Sequence, residues 1–264
     1  MTRTATAVLA LGISSATGVL ASDLEKEARW AGQIVDFLMD GDAVYLDDGR
    51  SEFLALETPA ADGALTRAAV IMHGTGVHPN WSTVVLPLRV GLPENGWHTL
   101  SIQMPVLPNE AEDADYPAIY DGVPGRIDAA IDYLTGQGAE TIVLIAHSQG
   151  ATMTAYYLAE TGREVDGFVA IGMGPGISGT AADNLAHLPK VSAPLLDLYG
   201  SEDLPQVLQS SAARSAAATG TPAFRQDSHS PEDKTPSDRR GAPALPPSAP
   251  DRRPRAFVIR SPLT

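Results

Sequence analysis

Short aliphatic runs alternate with helical patterns along most of this chain, and that alternation constrains its fold more than any other feature. Thr141–Ala146 is almost purely aliphatic, as a strand covered on both faces must be. Ala68–Met72, His98–Gln103, Val165–Ile171 and Leu195–Tyr199 are comparable short runs. Ser82–Val90, Val123–Leu134, Ala151–Ala159 and Leu204–Ala218 read as helices between or after them. In the second of these, Val123, Ile127, Ile131 and Leu134 share one helical face. Such a series predicts an α/β fold, a mostly parallel sheet with helices on both faces. Upstream, Ser22 and Glu25 read as a capping box before a helix carrying Leu24, Ala28, Ala31, Val35 and Leu38. Ala43–Leu46 and Glu52–Glu57 flank Asp48-Gly49, a hairpin signal.

Composition narrows the chemistry. With 264 residues, 44% of them hydrophobic, the chain can bury a core without cross-links. It has no cysteine, which excludes a disulfide scaffold, a thiolate metal site and a Cys nucleophile. Eighteen basic against 32 acidic residues give a net charge of −14, which argues against nucleic acid as a partner. No apolar run reaches the roughly 18–20 residues of a membrane span, so stable membrane insertion is not expected.

The two ends differ from the middle. Arg3, the apolar Ala7–Ile13 and the small-residue stretch ending Val19-Leu20-Ala21 read as an export signal over residues 1–21. A periplasmic or secreted location follows. After Gln226 the composition breaks: residues 227–264 hold 8 of the 21 prolines. Residues 1–226 carry 11 basic and 27 acidic groups, net −16, against 7 and 5, net +2, in 227–264. That segment reads as a Pro/Arg-rich disordered tail, leaving a folded domain at 22–226.

The reactive chemistry centres on Ser148. Ala146-His147-Ser148-Gln149-Gly150 stands where an aliphatic strand turns into a helix. A nucleophile on so sharp a turn needs small residues two before and two after it, and Ala146 and Gly150 supply them. His73-Gly74-Thr75-Gly76 directly follows the strand Ala68–Met72, so the backbone amides of Thr75 and Gln149 can converge as an oxyanion hole. His73 itself reads as structural. Asp203, just past a later strand, is the candidate acid, with Glu202 and Asp197 as rivals. His229 is the one histidine after Asp203 and therefore the candidate base. Two other patterns read as bland. Gly174–Gly179 imitates a dinucleotide fingerprint but reads as a cleft rim, and Glu110, Glu112, Asp113 and Asp115 read as a solvated loop.

His73-Gly74, Ala146-His147-Ser148-Gln149-Gly150 and Gly200-Ser201-Glu202-Asp203, in that order, resemble the α/β-hydrolase superfamily. His78-Pro79-Asn80-Trp81, Leu86-Pro87-Leu88-Arg89 and Gly96-Trp97-His98-Thr99-Leu100 resemble, more narrowly, an uncharacterised family of exported bacterial α/β-hydrolase-like proteins. The resemblance runs from about Ser22 to Gln226 and implies eight strands and a Ser-Asp-His triad. It stops where the family pattern needs one more strand, a His-bearing loop and a closing helix. The final strand and helix are therefore expected to be missing or altered, as a change of reading frame would leave them. The resulting expectation is an exported serine esterase or related acyl hydrolase acting on a small ester-like molecule, with no cofactor and no metal. The alternative is a non-catalytic binding protein that kept the fold and lost its catalytic His. Oligomeric state is left open.

Overall fold

A computed structural model describes residues 22–230 of the chain. The stretch read as an export signal, 1–21, and residues 231–264 of the stretch read as a tail lie outside the described residues. In order, the elements are α1 (Leu24–Asp36), β1 (Asp42–Asp47), β2 (Glu52–Thr58), β3 (Arg67–Met72), α2 (Val85–Gly91), β4 (His98–Ile102) and α3 (Val123–Gly136). Then come β5 (Thr141–His147), α4 (Gln149–Thr161), β6 (Gly167–Ile171), α5 (Asn184–His187), β7 (Leu195–Gly200), α6 (Pro205–Ala217) and β8 (Arg225–His229). The eight strands form one sheet in the order β1-β2-β4-β3-β5-β6-β7-β8. β2 pairs antiparallel with β1 and β4, and the remaining pairs are parallel. This is the α/β fold with helices on both faces that the alternation predicts.

Side-chain alternation along the central strands divides the core in two. Ile71, Val143, Ile145 and Val169 pack with Val85 of α2 on one face. Val70, Met72, Leu144 and Ala146 pack with Ile127, Ile131 and Leu158 of α3 and α4 on the other. Each fully buried Val, Leu, Ile or Met side chain among them contributes about 1.5–3 kcal/mol. A third cluster seats α1 on the hairpin through Ala31, Ile34, Leu54 and Leu56. Among the described residues no helix is long and apolar enough to cross a membrane.

Three expectations need correcting. α1 is capped by Asp23, whose carboxylate accepts from the Lys26 amide at 2.9 Å, and not by a Ser22–Glu25 box. The Ser22 hydroxyl is engaged elsewhere, with the buried Glu27 carboxylate and the Val106 amide. The acidic stretch is also no simple loop: Asp113–Gly122 is a ten-residue 3₁₀ helix, and the Glu112 amide donates to Asp115 at 2.9 Å. Finally, the eighth strand exists. β8 runs across the boundary drawn at 226 and pairs with β7 from Leu196↔Arg225 to Gly200↔His229. Its residues, Arg225-Gln226-Asp227-Ser228-His229, are mostly exposed and show no apolar alternation, so backbone pairing at a sheet edge defines it. Gln226 adds hydrogen bonds to Asp197 and to the Ser211 carbonyl, each 2.8 Å. The stretch expected to hold a closing helix lies outside the described residues.

Candidate active site

At the carboxyl end of β5 the chain turns into α4 through Ser148, whose φ of 54° and ψ of −120° lie in a region that side-chain-bearing residues rarely adopt. The turn is held from both sides. The Ser148 amide donates to the Ile171 carbonyl at 2.8 Å, and its carbonyl accepts from Ala151 and Thr152. The small residues around it have a steric reason. A Cβ on Gly150 would stand 2.3 Å from the His73 carbonyl oxygen, and one on Gly74 would stand 3.1 Å from Ser148 Cβ. The loop after β3 is thereby pressed against the start of α4.

Ser148, Thr75 and Gln149 line one cleft of about 350 Å³. Gln149 is the first residue of α4, so its amide has no partner within the helix. The Gln149 side chain is tied back by donation to the Tyr120 hydroxyl at 2.6 Å, a buried phenol whose pKa burial pushes up. His73 fixes the facing loop: its Nε2 accepts from the Met104 amide at 2.9 Å, and its Nδ1 lies 2.9 Å from the Gly74 carbonyl. Complete burial lowers its pKa to about 3, so the imidazole is neutral and works as a structural brace.

Asp203 follows β7. Its carboxylate accepts from the Gly200 and Leu204 amides at 3.2 and 2.8 Å. A Cβ on Gly172 would lie 3.4 Å from Asp203 Oδ2 and 3.9 Å from His147 Cδ2, so acid and imidazole flank the same glycine. Burial lowers the His147 pKa while the Asp203 charge opposes that shift, and His147 Nδ1 is buried without a hydrogen bond. The rival Asp197 is committed elsewhere, fully buried against Arg214 at 2.9 Å. Glu202 is exposed. His229 ends β8 opposite Gly200, and its carbonyl accepts from the Ser201 amide at 2.7 Å. Its ring is exposed and, among the described residues, hydrogen-bonds neither Asp203 nor Ser148. Ser148, Thr75 and Gln149 are thus brought together with Asp203 nearby, and the His229 ring is not.

A protein-family model described as "Protein of unknown function (DUF3530)" matches residues 17–119 and 108–240. The chain belongs to this family. Solved structures similar to this member are α/β hydrolases by fold. Est1E from Butyrivibrio proteoclasticus is 14% identical and covers 72% of this chain and 88% of its own, with a TM-score of 0.55. A dienelactone hydrolase from Anabaena variabilis is 22% identical over 72% of this chain and 85% of its own, TM-score 0.56. An alpha-beta serine hydrolase homologue from Coxiella burnetii is 15% identical over 74% and 90%, TM-score 0.56. No curated protein sequence matches significantly.

The remaining motifs of this DUF3530 member fall around the same cleft. Gly174, Pro175 and Gly176 line its rim, and Gly176 is bridged to Asp183 so closely that a Cβ there would lie 1.7 Å from the Ala182 carbonyl. Asp113 lines the cleft from the 3₁₀ helix. Among the described residues no group of three or more His, Asp or Glu side chains is placed to hold a metal. Sequence reasoning missed Tyr120, Thr152 and Asn184. Thr152 had a usable signal, since it stands one helical turn beyond Ser148. Asn184, 32 positions further on, had none.

Proposed function

We propose that this protein is an exported serine acyl hydrolase acting on small esters. The observation that carries the reading is the strained Ser148 backbone at the start of α4, in a cleft shared with Thr75 and Gln149. That conformation costs about 1–3 kcal/mol, which a structural serine would not need. In the proposed reaction Ser148 Oγ attacks the acyl carbon while His229 takes its proton. Asp203 orients the imidazole, and the Thr75 and Gln149 amides hold the oxygen that becomes negative, each worth about 10²–10³ in turnover. The imidazolium then protonates the departing alcohol, and water repeats the sequence on the acyl-enzyme. His229 must bring its ring to Asp203 for this. Its backbone is one strand spacing, about 4.8 Å, from Gly200, the residue whose amide binds the Asp203 carboxylate.

Substrate size follows from the cleft. About 350 Å³ is at the small end for ligand sites, and the 23 residues between β6 and β7 hold only the single-turn α5 and a three-residue 3₁₀ turn at Leu188–Lys190. Among the described residues Asp113 is the one charged residue lining it, so neutral or cationic esters are favoured over anions. Hydrolysis of a chain-length series should fall off for long acyl chains; a preference for long chains refutes this substrate class. A phosphonate probe should label wild type and miss Ser148→Ala, while equal labelling of both refutes the serine assignment. The alternative, a binding protein without turnover, is favoured by the free His229 ring, and absence of labelling in folded protein would select it. N-terminal sequencing of the periplasmic or secreted protein should begin at Ser22.

A further inference from the structure

Thr152 is a buried residue on the wall of the Ser148 cleft with an unspent hydrogen-bond donor. Its side chain is 5% exposed, yet it lines the cleft beside Ser148 and Gln149. Other threonines of α4 use their hydroxyls in the ordinary way for a helix: Thr154 donates to the Gly150 carbonyl at 2.8 Å and Thr161 to the Tyr157 carbonyl at 2.7 Å. The corresponding acceptor for Thr152 is the Ser148 carbonyl, which the Thr152 amide already engages, and the hydroxyl does not use it. Thr152 Oγ1 accepts instead, from Asn184 Nδ2 at 3.0 Å.

Asn184 makes this arrangement directional. It is fully buried at the start of α5, and its second amide hydrogen goes to the Gly174 carbonyl at 2.9 Å. Both hydrogens are spent, and neither is available to the cleft. Asn184 Oδ1 is itself buried without a partner, so the pair is not a closed internal network. With a lone pair filled by Asn184, the Thr152 O–H is the group left to interact, and it donates no hydrogen bond among the described residues. Thr152 stands four residues after Ser148, its amide donates to the Ser148 carbonyl at 3.2 Å, and both residues line the same cleft. An acceptor reaching it therefore sits in the cleft that would hold the carbonyl under attack.

Resting on the esterase reading, we infer that Thr152, positioned by Asn184, recognises an ether, carbonyl or hydroxyl oxygen close to the scissile ester, so that the cleft selects oxygenated short esters over their all-carbon isosteres. The loop carrying Asn184 thereby sets substrate choice without touching substrate.

The test uses two isosteric pairs that exchange one CH₂ for O: 4-nitrophenyl methoxyacetate against butyrate for the acyl side, and 2-methoxyethyl against butyl acetate for the alcohol side. With each kcat/KM of the carbon ester divided by its intrinsic alkaline hydrolysis rate, as for its partner, wild type should prefer the oxygen member of at least one pair about three- to tenfold. Thr152→Val, which keeps the shape, should bring that ratio to near one. Thr152→Ser, which keeps the O–H, should retain it. No preference in either pair, or a preference surviving in Thr152→Val, overturns the inference. Should Thr152→Val fail to fold, the wild-type ratio and Thr152→Ser decide. Binding of both isosteric pairs to Ser148→Ala, followed by NMR shifts, separates the two readings. Tighter binding of the ether member in either pair supports the Thr152 assignment even where Ser148 proves unreactive, and equal binding in both pairs refutes it while leaving the serine chemistry to the labelling experiment.

Discussion

Gly150→Ala tests whether the loop after β3 and the start of α4 are positioned by direct backbone contact. The added Cβ would lie 2.3 Å from the His73 carbonyl oxygen and 3.1 Å from both the His73 carbonyl carbon and the Met72 oxygen. A tolerable carbon–oxygen contact begins near about 3.3 Å, so the two segments must separate by about 1 Å. All three clashing atoms are backbone, so no side chain can rotate aside. Forcing such a site open costs about 1–3 kcal/mol. The same displacement moves the Thr75 amide away from Gln149 and Ser148, and a 1 Å misplacement lowers catalysis by about 10²-fold. Urea denaturation measures the first effect, and the rate of Ser148 labelling or ester turnover measures the second. The control is Gly32→Ala on the exposed face of α1, where a Cβ meets nothing within 4 Å. That substitution should stabilise by about 0.5–1 kcal/mol and leave the rate unchanged. A Gly150→Ala protein with wild-type stability and wild-type rate would refute the reasoning.

Ser148→Gly should be more stable than Ser148→Ala by about 1 kcal/mol, because glycine alone accepts a φ of 54° and a ψ of −120° without strain; equal denaturation midpoints would mean that the elbow stores none. His73 gives the fold an acid sensitivity. Its pKa is about 3 when folded and near 6.5 when unfolded, so between those values the unfolded chain binds the extra proton and stability falls as pH drops, by about 1.4 kcal/mol per unit. Wild-type stability measured from pH 6 to 4 should show that slope, and His73→Gln should be shallower by the same amount. Asp197→Asn leaves the fully buried Arg214 without its charge partner and should cost about 3–5 kcal/mol in denaturation. A loss below 1 kcal/mol would show that water reaches the pair.

The central strands were legible because burial on both faces leaves no choice of residue: Ile142–Ala146 must be aliphatic whichever way a side chain points. The elbow at Ser148 was legible for a similarly local reason, since the small residues it demands stand two positions to either side. Ser22 and Asp23 show the limit of local reading. Both can cap a helix, and the choice fell to Asp23 because the Ser22 hydroxyl is taken by Glu27 and Val106, the latter 84 positions away. β8 was illegible because an edge strand of polar residues has no hydrophobic period; its pattern is supplied by β7.

The sequence by itself determined an alternating α/β sheet, the place of the sharp turn at Ser148 and the small residues that permit it. Each of these depends on neighbours within a few positions. Only the tertiary structure decided what surrounds the turn. The order β3-β5-β6-β7 sets four strand ends side by side, and so delivers Gly74, Gly172 and Asp203 to one point from segments as much as 129 positions apart. The partnership of Thr152 with Asn184 has the same origin. A hydrogen bond across 32 residues depends on how a loop returns over a helix, and no spacing along the chain encodes that return.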